Sequence, residues 1–190
     1  MATSKAARLY FAYGSNLSLT QMKSRCPSST YHSFGFLPNY KWIIGERGYA
    51  NVVRTAPEEQ CEVFGMLYTL EISDEENLDI AEGVPYAYYK RELAIIVATK
   101  DDEGKNLDLK EVTALVYVDE RRLGEGVCKE EYVHRMNRGI RDAKSKGMQD
   151  AWVKRYIRPF VREEDVPDDR EVEDPFHPSK SEESYEEEGY

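Results

Sequence analysis

Six short segments of the chain are rich in aromatic and β-branched residues, the composition typical of β-strands. Turns with glycine or charged residues separate many of them, for example residues 45–48. There is no repeat and no regular alternation of strands with helices, so the pattern predicts an α+β domain built around a strongly curved or closed sheet. The six predicted strands are 9–13, 41–44, 50–54, 63–70, 93–98 and 112–118.

Three further segments carry helical signals. Ser73 begins a capping-box sequence and predicts a short helix that must end by Gly83. Residues 129–146 place apolar side chains along one face and predict the longest helix, with Gly147 as its C-cap. Asp150 is predicted to cap a last helix.

Acidic residues are concentrated at the C-terminal end of the chain. The formal net charge is −10, but residues 163–190 contain 13 acidic and two basic residues and account for −11. Residues 1–162 therefore carry +1, and neither part has the basic stripe of a nucleic-acid-binding protein. We predict one folded domain over residues 1–162 and an acidic, disordered tail over residues 163–190.

The sequence also indicates where such a protein resides. No segment has the roughly 20 apolar residues that a membrane-spanning helix needs, and the N-terminus does not resemble a signal peptide. The three cysteines include no CxxC pair, which disfavours a disulfide framework and a structural zinc site. The three histidines are too scattered to suggest a metal cluster. We expect a cytoplasmic protein that binds neither membrane nor nucleic acid, of open oligomeric state.

A glycine-containing loop follows the first predicted strand, in the sequence Tyr-Phe-Ala-Tyr-Gly-Ser-Asn-Leu over residues 10–17. Gly14 lets the backbone approach a ligand closely, and the N–H groups beside it can form a nest for an anion. The phosphate-loop motifs GxxxxGK[ST] and GxGxxG are absent, and Ser15 lacks a GxSxG nucleophile elbow. The residues leave two interpretations open, a carboxylate-binding loop and an ordinary turn at a strand end.

Glu82 lies at the end of the short predicted helix, where the helix dipole favours cations over carboxylates. Apolar residues and tyrosines follow it, and such surroundings would raise its pKa towards that of a useful general base. The alternative is a solvated glutamate at a helix end. Glu75 and Glu76 are predicted to lie in the first turn of the same helix, where acidic side chains stabilise it.

The chain resembles the γ-glutamylcyclotransferase family in two motifs, FAYGSNL and the EGV that follows the short helix. Residues 48–53, residues 63–68 and the region around Tyr132 are also similar, so the resemblance extends over about residues 8–160. It implies a small mixed β-barrel with flanking helices, no metal and no cofactor. It also implies the release of 5-oxoproline from small γ-glutamyl amino acids or peptides.

The resemblance further implies roles for individual residues. Glu82 would be the catalytic general acid/base, taking a proton from the α-ammonium of the substrate and returning one to the leaving amine. The loop would hold the glutamyl end folded for attack, with N–H groups near Gly14 and Ser15 facing either the α-carboxylate or the developing oxyanion. The substrate-binding residues implied in this way are Tyr10, Phe11, Ala12, Tyr13, Gly14, Ser15, Asn16, Tyr89 and Tyr132.

Other conspicuous side chains are given structural interpretations. Trp42 and Trp152 are predicted to be core residues, and the cysteines to be packed or surface thiols. Several arginines are predicted to be solvated charges, the alternative being that one of them faces the pocket and binds a peptide carboxylate. These are Arg121, Arg122, Arg135, Arg138 and Arg141.

Three functions are compatible with the sequence. The first is a general γ-glutamylcyclotransferase that acts on γ-glutamyl amino acids or glutathione. The second is a cyclotransferase specialised for another γ-glutamyl amide or a glutathione adduct in secondary metabolism. The third is a non-catalytic binding member of the fold, against which the presence of a glutamate at position 82 argues.

Overall fold

The computed structural model describes residues 8–100 and 107–166. Its strands are β1 (Arg8–Ala12), β2 (Thr30–Pro38), β3 (Tyr40–Ile44), β4 (Ala50–Arg54), β5 (Glu62–Leu70), β6 (Tyr89–Lys100) and β7 (Leu107–Val118). Its helices are α1 (Leu19–Arg25), α2 (Ile72–Ala81), α3 (Glu130–Ser145) and α4 (Asp150–Trp152), which continues as a π-helical turn over Val153–Ile157. Short 3₁₀ turns span Ser15–Leu17 and Pro57–Glu59.

Five of these strands close into a barrel in the order β1-β5-β2-β6-β7. Neighbouring strands are antiparallel except for β1 and β7, which pair in parallel and close the barrel. Strands β3 and β4 form a separate antiparallel hairpin. The predicted α+β fold, a small mixed barrel with flanking helices, is confirmed.

All six predicted strands are present, although β6 and β7 extend beyond the predicted ends. Strand β2 was not predicted, because Gly35 and polar residues dilute its β-branched composition. A Cβ atom at Gly35 would lie 2.6 Å from the Ile96 carbonyl oxygen. The glycine that weakens the strand signal therefore allows β2 to pack closely against β6.

The prediction that Ser73 caps the short helix is wrong. Helix α2 begins at Ile72, and the N-cap residue is Glu71, whose N–H donates to the Asp74 carboxylate at 3.2 Å. The first turn therefore contains Asp74 and Glu75, and Glu76 lies beyond it. The error was one of register, because several acidic residues in this segment have capping-box spacing.

The ends of the other helices follow the sequence signals in part. Helix α1, with Ser18 as its N-cap, was not predicted because it is short and largely polar. The C-cap of α3 is Lys146 rather than the predicted Gly147. Gly147 follows it with a φ of +117°, and its N–H donates to the Lys144 carbonyl at 3.2 Å. The N-cap of α4 is Gln149 rather than Asp150.

A continuous core joins the barrel strands to the inner face of α3. Trp42 and Trp152 are buried in it, as predicted. The three cysteines are free thiols, and burial raises the pKa of Cys26 to about 12. Arg135 and Arg138 contradict their prediction as solvated charges, since only 4% and 6% of their surfaces are exposed.

Two further predictions concern the acidic C-terminal segment and membrane-spanning helices. From residue 167 onwards, the acidic segment predicted to be disordered lies outside the described residues. No helix within the described ranges is long and apolar enough to cross a membrane.

Candidate active site

A cavity lies where the loop after β1, the β3–β4 hairpin, the end of α2 and helix α3 meet. Its empty volume is about 620 Å³, including space open to solvent. The cavity brings together Glu82 and the loop residues Gly14, Ser15 and Asn16. The two sequence motifs therefore face the same space.

Gly14 is required in the loop by close packing. Its φ of −113° is accessible to any residue. A Cβ atom at this position, however, would lie 2.7 Å from the Tyr132 hydroxyl and 3.1 Å from the Ala50 side chain. Gly139 plays a similar role on α3, since a Cβ atom there would lie 2.9 Å from Leu17. The two glycines allow the loop to sit directly against α3.

The side-chain amide of Asn16 lies at the centre of a buried hydrogen-bond network. Its Nδ2 donates to the Tyr10 hydroxyl at 2.8 Å and to Glu82 Oε1 at 3.0 Å. Its Oδ1 accepts from Gln21 Nε2 at 2.7 Å and from Arg25 Nη1 at 3.2 Å. These four bonds use both ends of the amide, so they fix its orientation and hold the loop to the end of α2.

Ser15 is bonded to α3 and α1 from the opposite side of the loop. Its Oγ accepts from Arg135 Nη2 and from Gln21 Nε2, both at 2.9 Å. Its backbone N–H, expected to face a carboxylate or an oxyanion, donates instead to the Tyr132 hydroxyl at 3.1 Å. An anion can reach this N–H only by displacing that hydroxyl.

The backbone geometry that ends α2 places Glu82 at the cavity. Glu82 is the C-cap residue, and Gly83 follows with a φ of +63°. The N–H of Gly83 donates to the Ile80 carbonyl and that of Val84 to the Asp79 carbonyl, both at 3.0 Å. This pattern is a Schellman motif, which needs the left-handed conformation that glycine adopts most easily. Glycine therefore terminates the helix immediately after the glutamate.

The surroundings of the Glu82 carboxylate are more polar than expected. Arg25 Nη1 lies 3.7 Å from Glu82 Oε1, and the Arg25 residue is only 2% exposed. Asn16 adds a hydrogen bond to the same oxygen. The Glu82 side chain itself is 16% exposed and borders the cavity. A buried cation and an amide therefore hold this carboxylate in place.

Buried tyrosines form most of the remaining cavity wall. Burial raises the pKa of each of them, and the negative charge of Glu82 raises these pKa values further. They consequently remain protonated at neutral pH and act as neutral hydrogen-bonding groups. These residues are Tyr10, Tyr13, Tyr88, Tyr117 and Tyr132.

The hydroxyl groups of three of these tyrosines are bonded to the surrounding scaffold. Tyr13 donates to the Tyr117 carbonyl at 2.5 Å, and Tyr117 donates to Asp79 Oδ1 at 2.7 Å. Tyr88 donates to the Ala50 carbonyl at 2.8 Å. These bonds orient the aromatic rings, so the cavity has a defined shape before a ligand binds.

Three of the residues predicted to bind substrate lie outside the cavity. Phe11 and Ala12 are fully buried in the core. Tyr89 is half-buried, with the guanidinium groups of Arg91 and Arg121 over its ring at 5.5 and 5.0 Å. Tyr88 lines the cavity instead, because neighbouring residues of an extended segment point in opposite directions.

The cavity also contains arginines that the sequence did not identify as site residues, Arg25, Arg47 and Arg135. Each belongs to a polar stretch of sequence in which a solvated charge is the usual interpretation. For Arg135 one signal was available, since it follows Tyr132 by three residues and so lies on the same helical face. Within the described residues, no group of three or more His, Cys, Asp or Glu side chains could hold a metal ion.

The chain is similar to known proteins in both its sequence and its fold. The model of the family described as "Gamma-glutamyl cyclotransferase, AIG2-like" matches residues 10–135. The gamma-glutamylcyclotransferases of Bos taurus and Mus musculus are 30% and 29% identical to this chain over 106 residues. That match covers 52% of this chain and 55% of each relative, so the chain spans about half the length of the curated relatives it matches.

Solved structures share the fold at lower sequence identity. A gamma-glutamyl cyclotransferase superposes with a TM-score of 0.65 at 22% identity, over 90% of this chain and 96% of that one. An uncharacterized Homo sapiens protein gives 0.64 at 22% identity, with the same coverage. YkqA from Bacillus subtilis also gives 0.64, at 18% identity over 84% of this chain and 56% of its own. Similarity at this level demonstrates a common architecture.

Proposed function

The chain belongs to the gamma-glutamyl cyclotransferase, AIG2-like, family, and we propose on this basis that it converts a γ-glutamyl amide to 5-oxoproline and a free amine. The observation that carries the proposal is the 3.0 Å hydrogen bond between Asn16 of the loop and Glu82 at the end of α2. This bond joins a carboxylate to a glycine-containing loop, and both line one cavity. The proposed reaction requires a base and a rigid surface that binds the substrate.

The proposed reaction is an intramolecular aminolysis. The α-amine of the glutamyl group attacks its own γ-carbonyl carbon, and a new C–N bond closes a five-membered lactam. The original amide C–N bond then breaks and the amine leaves. No water or enzyme nucleophile takes part, and tethering of the two groups within one molecule supplies a large effective concentration.

Glu82 acts in this scheme as the general acid/base. The α-ammonium of the substrate cannot attack while protonated, so Glu82 takes one proton from it and later returns one to the leaving amine. The attacking nitrogen loses a second proton as the lactam forms, and the released amine takes up this proton and departs as an ammonium. The carboxylate is held for this task by Asn16 and by Arg25, whose contacts limit its rotation. The number of protons on Glu82 is the same before and after a turnover.

The cavity residues of the loop and of α3 bind the glutamyl group in this proposal. Tyr10, Tyr13 and Tyr132 shape the space in which the chain of the substrate folds back on itself. Gly14 allows the loop backbone to approach the substrate, and Asn16 connects the loop to the base. Phe11 and Ala12 support the loop from the core.

A substrate panel tests the proposal. The full chain is incubated with γ-glutamyl-alanine, glutathione, a glutathione S-conjugate and γ-glutamyl ethylamide, and the 5-oxoproline formed is measured by mass spectrometry. We expect release from at least one of these compounds, and their relative rates distinguish a general enzyme from a specialised one. Binding of γ-glutamyl compounds without any 5-oxoproline release would overturn the proposal in favour of a non-catalytic binding protein.

A further inference from the structure

The charged side chains of the cavity are unevenly paired. Among the described lining residues the charged groups are the carboxylate of Glu82 and the guanidinium groups of Arg25, Arg47 and Arg135. Arg25 contacts Asn16 and Glu82, and Arg135 contacts Ser15 and Gln21 and is ion-paired with Glu131 at 3.5 Å. Arg25 and Arg135 are thus each paired with a carboxylate, and the positive charge of Arg47 is in excess, which favours a ligand that brings an anionic group to it.

Arg47 differs from the other two arginines in its partners. It has no ion-pair partner within the part of the chain that the structure describes, and its Nη1 is buried without a hydrogen-bond acceptor. Its guanidinium group lies near the rings of Tyr49 and Tyr88, at 5.7 and 5.5 Å from their centroids. A buried N–H of a charged group without an acceptor is costly, so this nitrogen is suited to receive an anion from the ligand.

The hairpin turn that carries Arg47 is held in place by contacts with the segment before α3. The Gly126 N–H donates to the Ile44 carbonyl at 2.8 Å, and the Lys129 N–H donates to the Gly48 carbonyl at 3.2 Å. Gly48 has a φ of +83°, and a Cβ atom there would lie 3.0 Å from the Val127 carbonyl oxygen. These contacts hold the turn against the segment before α3. The backbone that carries Arg47 is therefore fixed before a ligand binds.

The chemistry of the proposed substrate decides which anion suits Arg47. A γ-glutamyl amino acid has two carboxylates, one on each side of the amide bond that breaks. The glutamyl carboxylate is bonded to the carbon that carries the attacking amine, so the proposed role of Glu82 puts it on the same side of the reacting carbonyl as Glu82, Asn16 and Arg25. The second carboxylate belongs to the leaving amino acid, on the far side of the reacting carbonyl. Among the described residues, Arg47 makes no hydrogen bond or ion pair with these three side chains around the base.

We propose that Arg47 is a specificity-determining residue that binds the carboxylate of the leaving amino acid or peptide. This inference rests on the proposed function and names its substrate class, namely γ-glutamyl amides whose released amine itself carries a carboxylate. The planar guanidinium group can bind such a carboxylate through two parallel N–H donors. The rings of Tyr49 and Tyr88 keep the cation positioned while the site is empty.

Two substrates that differ only in the carboxylate test the proposal. γ-Glutamyl-alanine and γ-glutamyl ethylamide have the same glutamyl group and the same two-carbon amine skeleton, but only the first has the second carboxylate. Formation of 5-oxoproline is followed to obtain kcat/KM for wild type, for Arg47→Met, which retains apolar contact with the rings, and for Arg47→Lys, which retains the charge. Arg54→Met, at an exposed position of β4 in the same hairpin, is the matched control.

We expect Arg47→Met to lower kcat/KM for γ-glutamyl-alanine by about 10- to 100-fold, the effect of losing a hydrogen bond between charged groups. The value for γ-glutamyl ethylamide should stay within a factor of about two of wild type, and Arg47→Lys should fall between wild type and Arg47→Met. Equal losses for both substrates, or no loss for either, would overturn the proposal while wild-type activity upholds the cyclotransferase function. A wild type inactive on both substrates would overturn this inference, and a wild type inactive on the whole substrate panel would overturn the cyclotransferase function as well.

Discussion

The amide of Asn16 donates a hydrogen bond of 3.0 Å to the carboxylate of Glu82, joining two residues that are 66 positions apart in the sequence. The same amide accepts from Arg25, which also lies 3.7 Å from Glu82. The Glu82 carboxylate and the loop are therefore parts of one hydrogen-bonded unit. A disturbance of either part is expected to affect the other.

Replacement of Glu82 by glutamine should abolish most of the activity. Glutamine retains the size of the side chain but is not basic near neutral pH, so the kcat for release of 5-oxoproline should fall at least ~10²-fold. KM should change little, because the proposed mechanism assigns binding of the glutamyl group to the loop rather than to the charge of Glu82. The acidic limb of the wild-type kcat profile should be absent from the residual activity of the variant.

Glu76→Gln is the matched control for this variant. Glu76 lies on the same helix and is exposed, whereas Glu75 is ion-paired with Arg8 and Lys90 and is therefore unsuitable as a control. We expect Glu76→Gln to retain wild-type kcat. Near-normal turnover by Glu82→Gln would contradict the assignment of Glu82 as the base.

Replacement of Gly14 by alanine should impair binding through a clash with Tyr132. The new Cβ atom would lie 2.7 Å from the Tyr132 hydroxyl, which accepts the hydrogen bond of the Ser15 N–H. A displacement of this kind in a binding loop can lower kcat/KM by up to ~10²-fold, and we expect much of the loss as an increase in KM. Thermal unfolding should remain cooperative.

The Tyr132→Phe background isolates the cause of that loss. Phenylalanine lacks the hydroxyl that the new Cβ atom would strike, so Gly14→Ala should cost less in this background than in wild type. Steady-state kinetics of the two single variants and the double variant measure the difference. An equal cost in both backgrounds would show that Tyr132 is not the group displaced.

Glu75 should contribute stability that depends on pH. Burial opposes its ionisation, but hydrogen bonds from Lys90 and Arg8 outweigh this effect and lower its pKa below the ordinary value of 4.5. A carboxyl group whose pKa is lower in the folded state stabilises the fold above its unfolded pKa, and this stabilisation is lost as the pH falls through the folded value. The melting temperature of Glu75→Gln should therefore be below that of wild type at pH 7.

The difference between the two melting temperatures should decrease as the pH falls below about 4.5, the ordinary value for a glutamate. Calorimetry from pH 7 to pH 3 provides the measurement, with Glu76→Gln as the exposed control on the same helix. A melting-temperature difference that is constant over this range would show that Glu75 stabilises the protein by contacts other than its charge.

Removal of residues 167–190 should leave the folded domain intact. The deletion takes away ten acidic and two basic residues, so the formal net charge changes from −10 to −2. It retains Glu163 and Glu164, which pair with Arg158 and Arg162 on the surface. We expect melting temperature and turnover within error of the full chain, together with lower solubility near neutral pH. A clear fall in melting temperature would show that this segment docks on the domain.

The sequence determined those features that depend on neighbouring residues. Runs of aromatic and β-branched residues identified six of the seven strands, because that composition favours extended backbone wherever it occurs. Gly83 and Gly147 marked helix ends, since both occupy left-handed backbone positions. The residues alone left open whether Gly14 and Glu82 belong to a site, and the resemblance of their two motifs to the γ-glutamylcyclotransferase family singled them out.

Tertiary structure decided which side chains meet in the cavity. Arg25, Arg47 and Arg135 come from three distant segments, and their place in the cavity depends on the way α1, the hairpin and α3 pack together. The choice of Tyr88 over Tyr89 depends on the direction in which each side chain leaves the backbone. Which of these side chains reach the cavity is a property of the packed chain, since partners far apart in sequence determine it. Local patterns give at most a partial signal, as for Arg135 three residues after Tyr132.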